Sequence, residues 1–256
     1  PQAAPRATLR CATIHAGSTR DVLCPALVTL QAADCATLAD AARVAHLLRH
    51  GKALADVSLA RNAISDEGAL LLAHALPTCG ELRSLWLSSN RIGDTGAAAI
   101  AEALPSLGWL GRGNQLRELW LSGNGIGSVG AAAIAAVLSR VPKLVKVDLR
   151  YNPLGDAGAI VLGTKLPGGT LSELYLQDCE IGDEGAAALA GILQQTAWLH
   201  DLRLSGNHVG CAGATALAAA WPRALALRGL RLGGNRIGDR GGEALAAAMR
   251  GGEGGV

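Results

Sequence analysis

The chain has no Phe, two Tyr and one Met among 256 residues. Its core must therefore be aliphatic, and its few aromatics are available for something other than packing. Charge is also sparse: 17% of residues are Asp, Glu, Lys or Arg, and the net charge is +2. So small an excess argues against a polyelectrolyte partner, and no nucleic acid is expected. Uninterrupted apolar runs are missing as well. The two uncharged stretches near membrane-spanning length, 119–139 and 204–222, both contain Gly and Asn, so no membrane partner is expected. No secretory signal is visible in 1–25. The six cysteines lack metal-site or small-disulfide-scaffold spacing. Reduced thiols in a cytoplasmic protein are expected, with ciliary or nuclear placement also compatible. A Cys11–Cys24 or Cys24–Cys35 pair in a terminal cap is the alternative. No P-loop, dinucleotide fingerprint or Ser-His-Asp order is present, so neither a cofactor nor enzymatic activity is expected.

What the chain does have is a period. The pattern LxxLxLxxN appears as Leu82-Leu85-Leu87-Asn90 and continues into Ile92-Gly93-Asp94-Gly96. The Asn, or a Cys in its place, falls at Asn62, Asn90, Asn124, Asn152, Cys179, Asn207 and Asn235. The steps are 28, 34, 28, 27, 28 and 28 residues. Seven in-phase units of this length define a solenoid. Stepping back 27 from Asn62 reaches Cys35, with Leu27 and Leu30 at matching offsets, so a degenerate first unit is read there. Each LxxLxL is a short strand whose leucines point inward. The Asn amide satisfies backbone groups where the chain turns away. Asp66, Asp94, Asp156, Asp183 and Asp239 fall where a helix N-cap belongs, and an Ala-rich helix follows. Pro77, Pro105, Pro167 and Pro222 share an offset that ends their helices.

These residues resemble leucine-rich repeats of the ribonuclease-inhibitor type, the repeat also found in NOD-like receptors, Ran GTPase-activating proteins and ciliary scaffolds. The resemblance implies an α/β fold: a curved right-handed horseshoe with parallel strands on the concave face and helices on the convex face. It divides the chain into a flank or cap at 1–26, a repeat domain at 27–250 and a flexible Gly-rich tail at 251–256. The non-Met start and the Gly-rich end together suggest a segment of a larger protein or complex.

The middle of the concave face, position five of each motif, holds Gln31, Ser58, Trp86, Trp120, Asp148, Tyr175, Arg203 and Arg231 in order. Tyr151 lies just past its strand on the same side. Trp, Tyr and Arg clustered on a face the core does not need are the residue types of an interface hot spot. The expected contact residues are therefore Trp86, Trp120, Tyr175 and Tyr151, with Asp148, Arg203, Arg231, Arg117 and Glu118 orienting the partner. Trp109 joins them from the one insertion, 105–115. Trp198 is placed at the lateral rim and Trp221 in the core. Glu118, Asp148 and Glu173 lie on successive strands and are weighed as paired carboxylates, but pairing with Arg117, Lys146 or Arg203 is favoured. His46 and His50 have a metal-compatible spacing without a third ligand. The functional expectation is an intracellular scaffold or protein-interaction module gripping a protein partner on the concave face. The alternatives are a regulator of an enzyme such as a small GTPase, or a structural spacer. The mixed charge of the face differs from the strongly acidic surface that the resemblance associates with ribonuclease inhibitors.

Overall fold

The computed structural model describes residues 11–15, 28–33, 35, 37–108, 113–166 and 170–251, with the backbone alone at 11–15 and 251. Strands and helices alternate: β1 (Cys11–His15), β2 (Thr29–Ala33), α1 (Leu38–His50), β3 (Asp56–Ser58), α2 (Asp66–Ala75), β4 (Ser84–Trp86), α3 (Asp94–Ala103), β5 (Glu118–Trp120), α4 (Ser128–Leu138), β6 (Lys146–Asp148), α5 (Gly155–Lys165), β7 (Glu173–Tyr175), α6 (Asp183–Leu193), β8 (Asp201–Arg203), α7 (Cys211–Ala220), β9 (Gly229–Arg231) and α8 (Gly238–Gly251). The strands form one parallel sheet in sequence order. The register aligns Gln31, Ser58, Trp86, Trp120, Asp148, Tyr175, Arg203 and Arg231 in one row. The concave row expected from the repeat is therefore a structural row. β1 pairs with β2 in parallel, so the sheet begins inside 1–26. At the other end α8 continues to Gly251.

The core lies between sheet and helices. The motif leucines Leu54, Leu82, Leu85, Leu87, Leu116, Leu119, Leu121, Leu174, Leu176, Leu202 and Leu204 are each no more than 1% exposed. On the helices Gly and Ala face the neighbouring helix, which lets successive helices approach closely; Gly96 meets Ala69 and Gly185 meets Ala159.

The asparagines close the turns as their spacing implies. Asn152 is 1% exposed, donates to the carbonyls of Leu121 (3.0 Å), Leu149 (2.9 Å) and Arg150 (3.2 Å), and accepts from the Ile126 amide (3.1 Å). Cys179 substitutes a thiol that donates to the Leu149 carbonyl at 3.2 Å. Burial pushes that thiol up to about 12 and the Cys79 thiol up to about 11, so both stay protonated and able to donate. The residue before each ladder position is left-handed throughout: Arg61, Ser89, Gly123, Tyr151, Asp178, Gly206 and Gly234 have φ between 54° and 74°. This turn is what bends the chain from strand to helix.

The repeated Asp does not cap its own helix. Asp66 is the first residue of α2, and its Oδ1 accepts the amides of Gly93 (2.6 Å) and Gly96 (3.0 Å) at the start of α3. Asp94 does the same for Gly127 and Gly130, Asp156 for Gly182 and Gly185, and Asp183 for Gly210 and Gly213. The N-cap expectation for these residues is thus corrected: each carboxylate caps the helix of the next repeat. The glycines are needed because a Cβ on Gly96 would stand 2.6 Å from Asp66 Oδ1. Thr37 is the self-capping residue, joined to Asp40 in a capping box at α1. Pro77, Pro105 and Pro222 lie in 3-10 turns that finish α2, α3 and α7, while Pro167 is outside the described residues.

A pair of substitutions separates this cross-repeat cap from simple helix propensity. Gly96→Ala is expected to destabilise by about 2 kcal/mol, because it displaces the shared carboxylate. Gly191→Ala, inside α6 and meeting nothing within 4 Å, is expected to stabilise by roughly 0.5–1 kcal/mol. Urea midpoints of the two variants check both signs.

Candidate protein-interaction surface

The strand pleat sends positions three and five of each motif to the same concave face, so side chains two residues apart on one strand are neighbours. Three such pairs bond, at 118/120, 173/175 and 201/203, and Asp148 at the end of β6 bonds Arg150 just past the strand. Trp120 Nε1 donates to Glu118 Oε2 at 3.0 Å. Arg150 donates to Asp148 through Nε (2.9 Å) and Nη2 (2.7 Å). The Tyr175 hydroxyl donates to Glu173. Arg203 donates to Asp201 through Nε at 2.9 Å, with Nη2 at 2.7 Å. Lys146, between Glu118 and Glu173 in the register, reaches Glu173 at 3.0 Å.

These contacts converge on Tyr175. Its ring lies 4.1 Å from the Arg203 guanidinium, 5.6 Å from that of Arg150 and 5.7 Å from the Lys146 ammonium. Trp120 meets it edge-on at 6.3 Å and also lies under Lys146 at 5.4 Å. Cation–π attraction and ion pairing thus knit β5 to β8 into one polar network. Burial opposes the Glu173 charge, but the Tyr175 hydroxyl and the Lys146 ammonium outweigh it and hold the carboxyl below its usual range. Burial and the Glu173 bond together push the Tyr175 phenol up. Burial alone would lower Lys146, but Glu173 raises it on balance.

The sign of the Glu173 shift sets a pH dependence. A carboxyl with a depressed folded value stabilises the fold above its unfolded value, about 4.3, and loses that contribution as pH falls through the folded value. Glu173→Gln is therefore expected to be less stable than wild type at pH 7 and close to it near pH 3. Denaturation at both pH values measures the convergence.

The expected contact residues separate into two groups. Trp86 and Trp120 are half-buried in adjacent strands, paired in register, and Arg117 and Arg231 are exposed. Tyr151 is 59% exposed at its left-handed turn position. Tyr175, by contrast, is only 6% exposed and Asp148 0%, so neither presents a surface to a partner. Tyr175 is covered by its cations and Asp148 is consumed by Arg150; both belong to the scaffold of the face. Arg203 is three-quarters covered and Glu118 partly buried, each committed to a neighbour. Glu118, Asp148 and Glu173 do not form a shared carboxylate pair, since each bonds its own partner. Arg150, the partner Asp148 takes, is signalled by its place two residues on. Trp109 lies outside the described residues. Trp198, just before β8, is 59% exposed, whereas Trp221 is partly exposed and not a core residue. The His46 and His50 ring centroids lie 4.6 Å apart with the planes tilted by 54°, and no group of three metal-ligating side chains occurs among the described residues. No helix among them is long and apolar enough to cross a membrane.

A family model described as Leucine Rich repeat matches seven segments, 54–73, 82–101, 114–135, 142–163, 170–190, 197–218 and 227–246, more than half of the chain. The chain belongs to the leucine-rich repeat family, in its ribonuclease-inhibitor-like form. A ribonuclease inhibitor of Mus musculus is 33% identical over 190 residues, 70% of this chain. The chain spans about a third of the length of that relative. The fold is similar to that of an internalin, InlF, from Listeria monocytogenes, with a TM-score of 0.50 and 17% identity over 88% of this chain and 62% of the other. Leucine-rich repeat domains as a class mediate protein–protein interaction.

Proposed function

We propose that this chain is an intracellular scaffold or interaction module that binds a protein partner on its concave face, with Trp86 and Trp120 as the apolar contact. The observation that carries this is the side-by-side placement of two partly exposed tryptophans on β4 and β5, on a face whose core is already complete without them. Aromatic rings in such settings supply large contact area at low entropic cost. The thiols of Cys79, Cys179 and Cys211 suit a reducing compartment.

Affinity capture with wild type and a Trp86→Ala/Trp120→Ala double variant tests the assignment. The expected result is at least a tenfold loss of the captured partner, with the melting temperature lowered by only about a few degrees. Unchanged capture sinks it. A second reading, contact through the lateral edge, is favoured by Leu225 at 93% and Trp198 at 59% exposure. Loss of capture in Trp198→Ala alone selects that reading instead.

A further inference from the structure

The charges on the concave face are not equally available. In the strand motifs of the C-terminal half the carboxylates are answered internally: Asp148 by Arg150, Glu173 by Lys146 and Asp201 by Arg203. Charges spent this way contribute little to a partner's field. Among the described residues, the strand-motif arginines that form no ion pair are Arg231, in the concave row, and Arg83, Arg117 and Arg228, at position two beside it, and all four are exposed. The carboxylates left over are Asp56, near the N-terminal end, Glu118, which bonds the Trp120 indole, and the exposed Asp178 just past β7. The face therefore looks near-neutral as a list of residues and presents cations as a surface.

Resting on the concave-face reading above, we propose that the partner segment is an acidic peptide stretch carrying an apolar side chain. The apolar group sits at Trp86 and Trp120, beside Arg83 and Arg117, and the carboxylates lie against Arg228 and Arg231. Trp120 on β5 and Arg231 on β9 are four strand steps apart, or about 19 Å. An extended chain covers that span in about six residues. Charge complementarity selects the sign of the segment, and the distance selects its spacing.

The test uses fluorescein-labelled peptides with two Leu, a neutral Ser/Gly spacer and four Glu, beside a twin with Lys for Glu, a twin with Ser for Leu, and an oligouridylate. The Glu peptide is expected to bind wild type at least tenfold more tightly than any of the three controls. Arg228→Glu/Arg231→Glu is expected to invert the preference toward the Lys twin, and raised salt to weaken the Glu peptide. Equal or tighter binding of the Lys twin or the oligouridylate overturns the proposal. So does Glu-peptide binding that ignores the arginine reversal, or no peptide binding at all. If these fail while native capture still depends on Trp86 and Trp120, the partner chemistry is wrong and the concave site stands. If capture also ignores the tryptophans, the site itself is wrong.

Discussion

Asn152→Ala is expected to destabilise the protein by about 4 kcal/mol and to split its unfolding into two transitions. The side chain makes four hydrogen bonds, three donated to carbonyls and one accepted from the Ile126 amide. At 1% exposure no water replaces them. Each buried group left unpaired costs about 1–3 kcal/mol. The location amplifies this cost. A solenoid is held together by contacts between neighbouring repeats, so a defect in a middle repeat uncouples the halves instead of lowering one global stability. Asn235→Ala removes the same kind of bonds, to the Leu204 and Leu232 carbonyls, in the last matched repeat, where the side chain is only partly buried. It is expected to cost about 1 kcal/mol, because water takes over part of the bonding. Asn152→Cys supplies a sharper comparison. Cys179 already fills this role in the following repeat by donating its thiol to the Leu149 and Gln177 carbonyls. The Cys variant should therefore recover roughly half of the loss. Equilibrium urea unfolding followed by circular dichroism and by tryptophan fluorescence reads all three. Equal costs for the Asn152 and Asn235 alanine variants would contradict the argument.

The frame of the molecule was legible in the sequence because a repeat states its rule many times. The spacing of Asn62, Asn90, Asn124, Asn152, Cys179, Asn207 and Asn235 sets the strand register, and with it the row from Gln31 to Arg231. Properties that depend on contact between repeats were harder to read. The Asp of IGDxG has the identity and position of a cap, but the amides that donate to it lie about 27–36 residues ahead, at Gly93 and Gly96 for Asp66 and at Gly127 and Gly130 for Asp94. Tyr175 lies on the outer face by pattern, yet three cations from neighbouring strands fold over it. Facing outward and being exposed are different properties when long Lys and Arg side chains lie nearby. The charge pairing held a signal that goes unused when partners are sought on adjacent strands. In ELW, ELY and DLR, at 118–120, 173–175 and 201–203, the strand carboxylate bonds the residue two positions on, and Asp148 at the end of β6 does the same with Arg150 just past it. A strand that repeats acid–Leu–partner places both groups on one side of the pleat, so this pairing follows from a period of two.

The most consequential of these pairs is Asp148–Arg150, and Arg150→Ala is expected to destabilise by about 3 kcal/mol. Asp148 is 0% exposed, and its carboxylate receives Arg150 Nε, Nη2 and the Arg150 backbone amide. Truncating Arg150 leaves a buried charge with the amide alone, the situation in which losing one partner costs about 3–5 kcal/mol. Arg150 retains 30% exposure, so solvent softens the loss and the lower end applies. Removing the carboxylate instead is gentler. In Asp148→Ala the guanidinium is already partly in water, and the expected cost is about 1 kcal/mol. The double variant Asp148→Ala/Arg150→Ala should recover most of the Arg150→Ala loss, since it removes the uncompensated charge. Thermal unfolding of the four proteins under identical buffer gives the cycle. Equal penalties for the two single alanine variants would mean that Asp148 is solvated in solution. The carboxylate would then be open to a partner, and the concave face would carry an acidic centre in place of the neutralised one on which its arginine-dominated surface depends.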